Sequence, residues 1–254
     1  MQTATRLFVL LSAAAAMAGC NGKYVNVDIS HIYTDAGYLN SASSDLGHLY
    51  LWDRASGTLT LVDVLDFAPG NMTTNDTGTS RKLKNTSGAS VAASTDGIKN
   101  LEAAIEAEVD NRLSVEVEDY TVRSARSTIT EMSSRIRSNP EDTADRWFLE
   151  KAFADSNRFR YVLAYKALNS QRASLEIDNT AKTEAKLKLN SVGGGITANL
   201  KGGALDEFKG TGVPSFLVYY VFRPTYNENN NYDFDVVTTQ YRQDLIDALR
   251  NSSI

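Results

Sequence analysis

Two nearly continuous apolar segments constrain the fold more than any other feature of this sequence. The first covers residues 159–168, and the second runs from Ser215 to Phe222 between Pro214 and Pro224. Short apolar runs that are rich in aromatic and β-branched residues are typical of strands inside a sheet. We therefore predict a central strand over 159–168 and the strongest strand of the chain over 215–222.

Shorter segments predict further strands. Residues 48–52 and 58–62 flank the turn sequence Asp53-Arg54-Ala55-Ser56-Gly57, which indicates a β-hairpin. The remaining candidates alternate apolar with polar residues, and they are residues 24–29, 113–118, 175–177, 185–189 and 196–200. Gly193-Gly194-Gly195 predicts a turn before the last of them.

Helical spacing dominates the middle of the chain. Apolar residues three and four apart predict a helix that Asp96 caps and that extends to Val109. Two more helices are predicted on either side of Pro140, with the apolar faces Val122, Ala125, Ile129, Met132, Ile136 and Ala144, Trp147, Phe148, Ala152. A last helix, capped by Thr238, carries Tyr241, Leu245 and Leu249, and the Asn-rich residues 227–233 before it predict a loop.

Residues 70–97 differ from the rest of the chain in composition. Most of them are Gly, Ser, Thr, Asn or Asp, and the one basic cluster is Arg81-Lys82-Leu83-Lys84. So little apolar surface does not offset the entropy lost on ordering. We predict an exposed, flexible polar loop over about 70–97, with no specific binding role for the basic cluster.

Strands followed by helices and then by strands indicate the α+β class. We expect a mainly antiparallel sheet, two to three helices in the middle of the chain and a short C-terminal helix. Residues 24–254 are predicted to form one domain, because no repeat or linker divides them.

Residues 1–19 have the pattern of an export signal. Arg6 supplies a positive charge, and residues 7–18 form an uncharged apolar stretch. As a helix this stretch is about 18 Å long, which is too short to cross a hydrocarbon core of about 30 Å. Small residues then lead to a cleavage zone. We predict a signal peptide over 1–19.

Cys20, the only cysteine, directly follows Met17-Ala18-Gly19. This segment resembles the lipobox of bacterial lipoproteins, in which Leu usually stands where Met17 stands here. The resemblance implies cleavage between Gly19 and Cys20, a diacylglyceryl thioether on Cys20, and membrane attachment through residues 20–23. Several acyl chains are needed for firm anchoring. Asn21, in place of an Asp that favours inner-membrane retention, implies the outer membrane if the host has two membranes.

Charge narrows the classes of partner. The whole chain has a formal net charge of −5, and cleavage removes Arg6 and no acidic residue, so the mature chain has a net charge of −6. Nucleic-acid binding, which requires a clustered basic face, is therefore not expected. With Cys20 acylated, the chain has no disulfide to stabilise it, so its stability must come from a packed core.

No motif predicts catalysis, a cofactor or a metal site. The two histidines, His31 and His48, stand in no zinc-ligand spacing, and no nucleophile motif is present. The glycines at 193–195 and 202–203 lack a following Lys-Ser/Thr, and the acidic and amide residues of 228–235 lack the EF-hand spacing. The carboxylate pairs Glu106/Glu108 and Asp233/Asp235 are typical of solvated faces. We expect no enzyme activity.

Three hypotheses of function remain. The leading one is a non-enzymatic envelope lipoprotein, a binding or assembly component whose folded domain binds a protein or another envelope component. The second is membrane perturbation or pore formation by an amphipathic β-hairpin within residues 171–202. The third is a carrier of a small apolar ligand, with the aromatic residues of 215–222 lining its cavity.

Overall fold

The computed structural model describes residues 25–28, 32–40, 44–83, 90–92, 113–177, 187–190, 200–201, 204–205, 208–209, 214–229, 231–238 and 241–251. The predicted signal peptide over 1–19, Cys20 and the predicted helix over 96–109 lie outside these residues. The described part has an α+β fold with a mainly antiparallel sheet, a helical segment in mid-chain and a short C-terminal helix, as predicted.

The strands differ widely in length. The first eight are Val25–Asp28 (β1), Tyr33–Thr34 (β2), Gly37–Leu39 (β3), His48–Asp53 (β4), Thr58–Val64 (β5), Met72–Leu83 (β6), Ser90–Ala92 (β7) and Leu113–Ala125 (β8). The others are Phe159–Ile177 (β9), Leu187–Asn190 (β10), Leu200–Lys201 (β11), Ala204–Leu205 (β12), Phe208–Lys209 (β13), Phe216–Tyr226 (β14) and Tyr232–Val236 (β15).

Four α-helices complete the described fold, and they are Thr128–Ser138 (α1), Pro140–Trp147 (α2), Leu149–Ala154 (α3) and Arg242–Asn251 (α4). Pro140 separates α1 from α2, as predicted, because proline is tolerated only in the first turn of a helix. The third predicted helix is interrupted at Phe148, which has a φ of 55° and an exposed side chain. The prediction that Phe148 lies on the apolar face of this helix was therefore wrong.

The longest described strand, β9, has 19 residues and organises the larger sheet. Along one side, β4 pairs with its first five residues and β8 pairs with residues 166–177. Along the other side, β14 pairs with residues 161–168, followed by β13 and β12. The central strand predicted over 159–168 is confirmed and continues to Ile177. A separate small sheet joins β1 to β10 in parallel and to β7 antiparallel.

The first half of β9 is buried on both faces. Tyr161 and Leu163 face α1, α2 and α3, with Trp147 and Phe153 among the side chains that cover them. The alternate residues on β9, such as Val162 and Ala164, face α4 on the opposite side. This three-layer part of the molecule is called the body below. Its two-sided burial explains why residues 159–168 are apolar without alternation.

The second half of β9, residues 169–177, pairs with β8, and β8 pairs in turn with β6. These three strand segments are called the extension below. In β8, Val115 and Val117 are buried whereas Glu116 is exposed. The extension therefore has one apolar face, and β6 is polar throughout most of its length.

Three further predictions require correction. Residues 72–83 were predicted as a loop but form β6, because β8 satisfies their backbone hydrogen bonds. Val122 and Ala125 belong to β8 rather than to the helix, which begins at Thr128. In the predicted loop of 227–233, the last two residues begin β15.

The amphipathic hairpin predicted over 171–202 lies largely outside the described residues. Its described parts are residues 171–177 of β9, β10 and β11, of which β10 pairs with β1 and β11 pairs with β12. The turn at Gly193-Gly194-Gly195 lies outside the described residues.

Candidate functional site

Within the described part of the chain, the residues singled out by sequence do not assemble into a chemical site. Cys20, Gly19, His31 and the pair Glu106/Glu108 lie outside the described residues. His48, at the start of β4, is half-buried, and its Nδ1 lies 3.2 Å from the Tyr50 hydroxyl. Burial lowers the pKa of His48, and the nearby Asp45 carboxylate opposes this shift. The described residues contain no group of three or more potential metal-ligating side chains.

Asp233 and Asp235 lie two residues apart on β15, so they share one face of the strand. An Asp235 carboxylate oxygen accepts a hydrogen bond from the Arg223 guanidinium at 2.7 Å, and both side chains are about half exposed. Asp233 accepts a hydrogen bond from the backbone N–H of Phe234. These contacts fit the predicted solvated face.

The aromatic residues of the 215–222 segment pack into the body. Phe216, Tyr219 and Phe222 are buried. Tyr220 is stacked on Tyr165 of the neighbouring strand, with 3.6 Å between ring centroids and 10° between planes. Burial, followed by the influence of Tyr220, raises the pKa of Tyr165 to about 12. These contacts describe core packing rather than a ligand cavity.

The most distinctive surface is a continuous edge of the sheet. β5 follows β4 as a hairpin, and β6 pairs antiparallel with β8. Since β4 and β8 run along the same side of β9, in the same direction, β5 and β6 run one after the other along one edge. β6 alone spans about 40 Å at about 3.3 Å per residue. We call β5 and β6 together the long edge.

The side chains of the long edge are mostly exposed. β5 contributes two exposed apolar residues, Leu61 at 48% and Val64 at 43% of full exposure. β6 contributes hydroxyl, amide and charged side chains in the sequence MTTNDTGTSRKL. Among the described strands, β5 pairs only with β4 and β6 only with β8. The outer backbone groups of both strands therefore face away from the sheet.

Side chains fix β6 on its partner strand. The Tyr120 hydroxyl donates a hydrogen bond to Asp76 at 3.2 Å, and the Tyr120 ring lies where a side chain at Gly78 would be. Arg81 forms ion pairs with Asp76 at 3.6 Å and with Asp35, in the β2–β3 turn, at 3.0 Å. One residue of the basic cluster therefore has a structural role.

A buried carboxylate fastens the helices to β5. Asp63, whose side chain is 5% exposed, accepts a hydrogen bond from the Trp147 indole N–H at 3.0 Å. Its oxygens also lie 3.4 Å from Arg135 Nε and 3.3 Å from an Arg146 nitrogen. The backbone N–H of Val64 donates to the same carboxylate. Together, these groups offset the cost of burying this charge.

Sequence reasoning missed both β6 and the Asp63 cluster. The frequent threonines of β6 were a usable signal, because β-branched residues favour strands even where no apolar alternation exists. Asp63 carried no such signal, since its partners Arg135 and Arg146 are far away in the sequence.

Comparisons with known proteins add little. No protein-family model matches this sequence, and no curated protein does so either. Among solved structures, the chain is similar to a bacterial gasdermin from Bradyrhizobium tropiciagri, with 11% sequence identity, 90% of each chain covered and a TM-score of 0.34. This overlap is too slight to support any inference. No described helix has the length and apolar character needed to cross a bilayer.

Proposed function

We propose that this protein is an exported, lipid-anchored and non-enzymatic assembly component that binds a strand of an envelope protein along its long edge. The long edge, with its two consecutive strands and outward-facing backbone groups, is the observation that carries the proposal. The lipid on Cys20 would hold the domain at a membrane, with the outer membrane favoured. This attachment raises the local concentration of partners in the same membrane.

An unpaired sheet edge binds extended chains through the backbone. Each outward N–H and C=O can bond to an added strand, and the neighbouring side chains set which strand fits. On β6, the exposed side chains are mostly short and polar, so they leave the backbone accessible. On β5, Leu61 and Val64 offer an apolar contact at one end of the edge. A partner strand with apolar residues at one end and hydroxyl or amide residues at the other would match both.

Two proline variants at neighbouring positions test this binding. In an antiparallel pair, consecutive residues turn their N–H groups alternately toward and away from the partner strand. Of Thr79→Pro and Ser80→Pro, one therefore removes a bond to β8, and the other removes only an outward donor. Chemical denaturation of the purified variants distinguishes them, because only the variant that lacks the bond to β8 is less stable than wild type.

The variant that lacks only the outward N–H donor, called the outward proline variant, tests partner binding. Cross-linked native membranes are solubilised, the protein is captured, and associated proteins are quantified by mass spectrometry. We expect wild type to recover a partner in near-equal amount, and both the outward proline variant and Cys20→Ala to lose it. Full partner recovery with the stable outward variant would refute binding at the long edge. Recovery with Cys20→Ala would refute the dependence on the anchor.

Membrane perturbation is the second candidate, and strand length favours it. β6, β8 and β9 have 12, 13 and 19 residues, whereas a membrane-crossing strand needs about 9–11. The polar character of β6 argues for the first proposal, because this strand has no apolar face for lipid. Dye release from liposomes separates the two. Release no greater than that caused by heat-denatured protein would exclude the second candidate.

A further inference from the structure

A cluster of N–H donors lies where α4 covers the sheet. Trp52 on β4 and Arg160 on β9 are directly paired across the two strands, so their side chains lie on the same face. Arg54 lies in the turn directly after β4. All three surround the ring of Tyr241, which lies 4.5 Å from the Arg54 guanidinium carbon, 5.0 Å from that of Arg160, and 6.1 Å from the Trp52 ring centroid.

Arg160 is buried and has no counter-ion among the described residues. The residue is 3% exposed, and its described side-chain partners are neutral. One guanidinium nitrogen donates to the carbonyls of Ser156 and Phe159, and the other donates to the Tyr241 hydroxyl at 2.7 Å. Neutral acceptors offset only part of the cost of burying a full charge.

Three buried donors of the cluster have no hydrogen-bond partner in the part of the chain that the structure describes. They are the Nε atoms of Arg54 and Arg160 and the indole Nε1 of Trp52. Trp52 itself is 2% exposed. Buried donors are nearly always satisfied in folded proteins, so three unpaired donors around one ring indicate a missing acceptor. An acceptor with a negative charge would also compensate Arg160.

Arg54 provides the route to this cluster. Its guanidinium lies 3.5 Å from Asp244 on α4, and these two side chains are 31% and 54% exposed. An exposed ion pair of this length is weak, so an incoming anion can replace Asp244. Another Arg54 nitrogen donates to the carbonyl of Asn157, which holds the guanidinium in place.

We propose that Arg54, Arg160 and Trp52 form a binding site for one phosphate group. Two guanidinium groups and an indole N–H supply donors suited to a tetrahedral oxyanion with several acceptor oxygens. The phosphate belongs either to a soluble ligand or to a lipid headgroup. This proposal does not depend on strand addition at the long edge, because the donors lie on the face that α4 covers.

Thermal unfolding of the purified full-length protein tests the site. Inorganic phosphate is titrated at constant ionic strength against chloride, and a saturable rise in melting temperature is expected because ligand binding stabilises the folded state. The Trp52 fluorescence is expected to change over the same concentration range. An equal effect of chloride, or a rise that never saturates, would show that there is no such site.

Variants separate this site from general charge effects. Arg54→Gln keeps the fold and is expected to weaken phosphate binding about tenfold, as for one charge-assisted hydrogen bond. Trp52→Phe keeps the packing and is expected to weaken binding less and to abolish the fluorescence change. Arg158→Gln is the matched control, because Arg158 pairs with Asp53 instead. An equal loss in Arg54→Gln and Arg158→Gln would overturn the proposal.

Vesicles distinguish the two sources of phosphate. Protein lacking the lipid anchor, Cys20→Ala, is sedimented with phosphatidylglycerol vesicles and with phosphatidylcholine vesicles. If the protein binds phosphatidylglycerol vesicles and Arg54→Gln abolishes this binding, the site recognises a lipid headgroup. Saturable binding of inorganic phosphate without vesicle binding would identify a soluble ligand. If neither vesicles nor inorganic phosphate binds in an Arg54-dependent manner, the proposal is wrong.

Discussion

The two halves of β9 lie in different surroundings although they belong to one strand. Residues 159–168 are covered by helices on both faces, whereas residues 169–177 join β8 and β6 in a sheet with a polar edge. The first half belongs to the body and the second to the extension. We infer that the body supplies most of the stability, and that β6 of the extension forms, together with β5, the long edge proposed to bind a partner strand.

The largest loss of stability is expected for a substitution in the core of the body. Leu163→Ala removes a fully buried side chain between the sheet and the helices, and we expect a loss of about 3.5 kcal/mol in the free energy of unfolding. Thr77→Ala, on the exposed face of β6, should change it by less than about 0.5 kcal/mol. Chemical denaturation measures both, and similar losses would contradict the division into body and extension.

Two glycines provide a second, smaller contrast. Gly37 in the body has a φ of +118°, and an added Cβ would lie 2.3 Å from the backbone oxygen of Leu217. Gly37→Ala should therefore cost about 3 kcal/mol. At Gly78 in the extension, the three atoms nearest an added Cβ belong to the Tyr120 side chain, at 2.8–2.9 Å, and none of them is a backbone atom. Gly78→Ala should cost less than about 1.5 kcal/mol. The reverse order in denaturation curves would refute this contrast.

The Asp63 cluster tests how the helical layer is held to the sheet. Asp63→Asn keeps the shape but removes the charge that Arg135 and Arg146 share, and we expect a loss of about 2 kcal/mol. Asp235→Asn breaks an exposed pair and should cost below about 1 kcal/mol. Equal losses would mean that Asp63 does not fasten the helices.

The smallest effect is a pH dependence in the body. The pKa of Tyr165 is raised to about 12, whereas an unfolded tyrosine has a pKa of about 10. The unfolded chain therefore loses this proton first, and the contribution of Tyr165 to stability is lost as pH rises from about 10 to about 12. When phenolate absorbance is followed against pH, wild type should show one more ionising tyrosine than Tyr165→Phe, and this tyrosine should ionise near pH 12. A difference that titrates near pH 10 would contradict burial of this ring.

The body could largely be predicted from the sequence, and the extension only in part. The strands predicted over 113–118 and 175–177 lie in β8 and β9, whereas β6 was predicted as a loop. Two-sided burial leaves continuous apolar runs, which is why 159–168 and 215–222 were predicted correctly. In β6 the backbone, rather than apolar side chains, makes the contacts, so composition indicated a loop. Val122 and Ala125 happened to continue the three-four spacing of α1, although they lie in β8. The Arg54, Arg160 and Trp52 cluster depends on strand pairing, which the sequence does not reveal.

The exchange of amide hydrogens in β6 tests the central claim most directly. Peptides covering residues 72–83 and 159–168 are compared between the purified protein in detergent and the protein in native membranes. We predict that the outward amides of β6 exchange quickly in the purified protein and slow markedly in membranes, while residues 159–168 stay slow in both. Unchanged exchange in β6, with a partner shown to be bound, would contradict strand addition at the long edge.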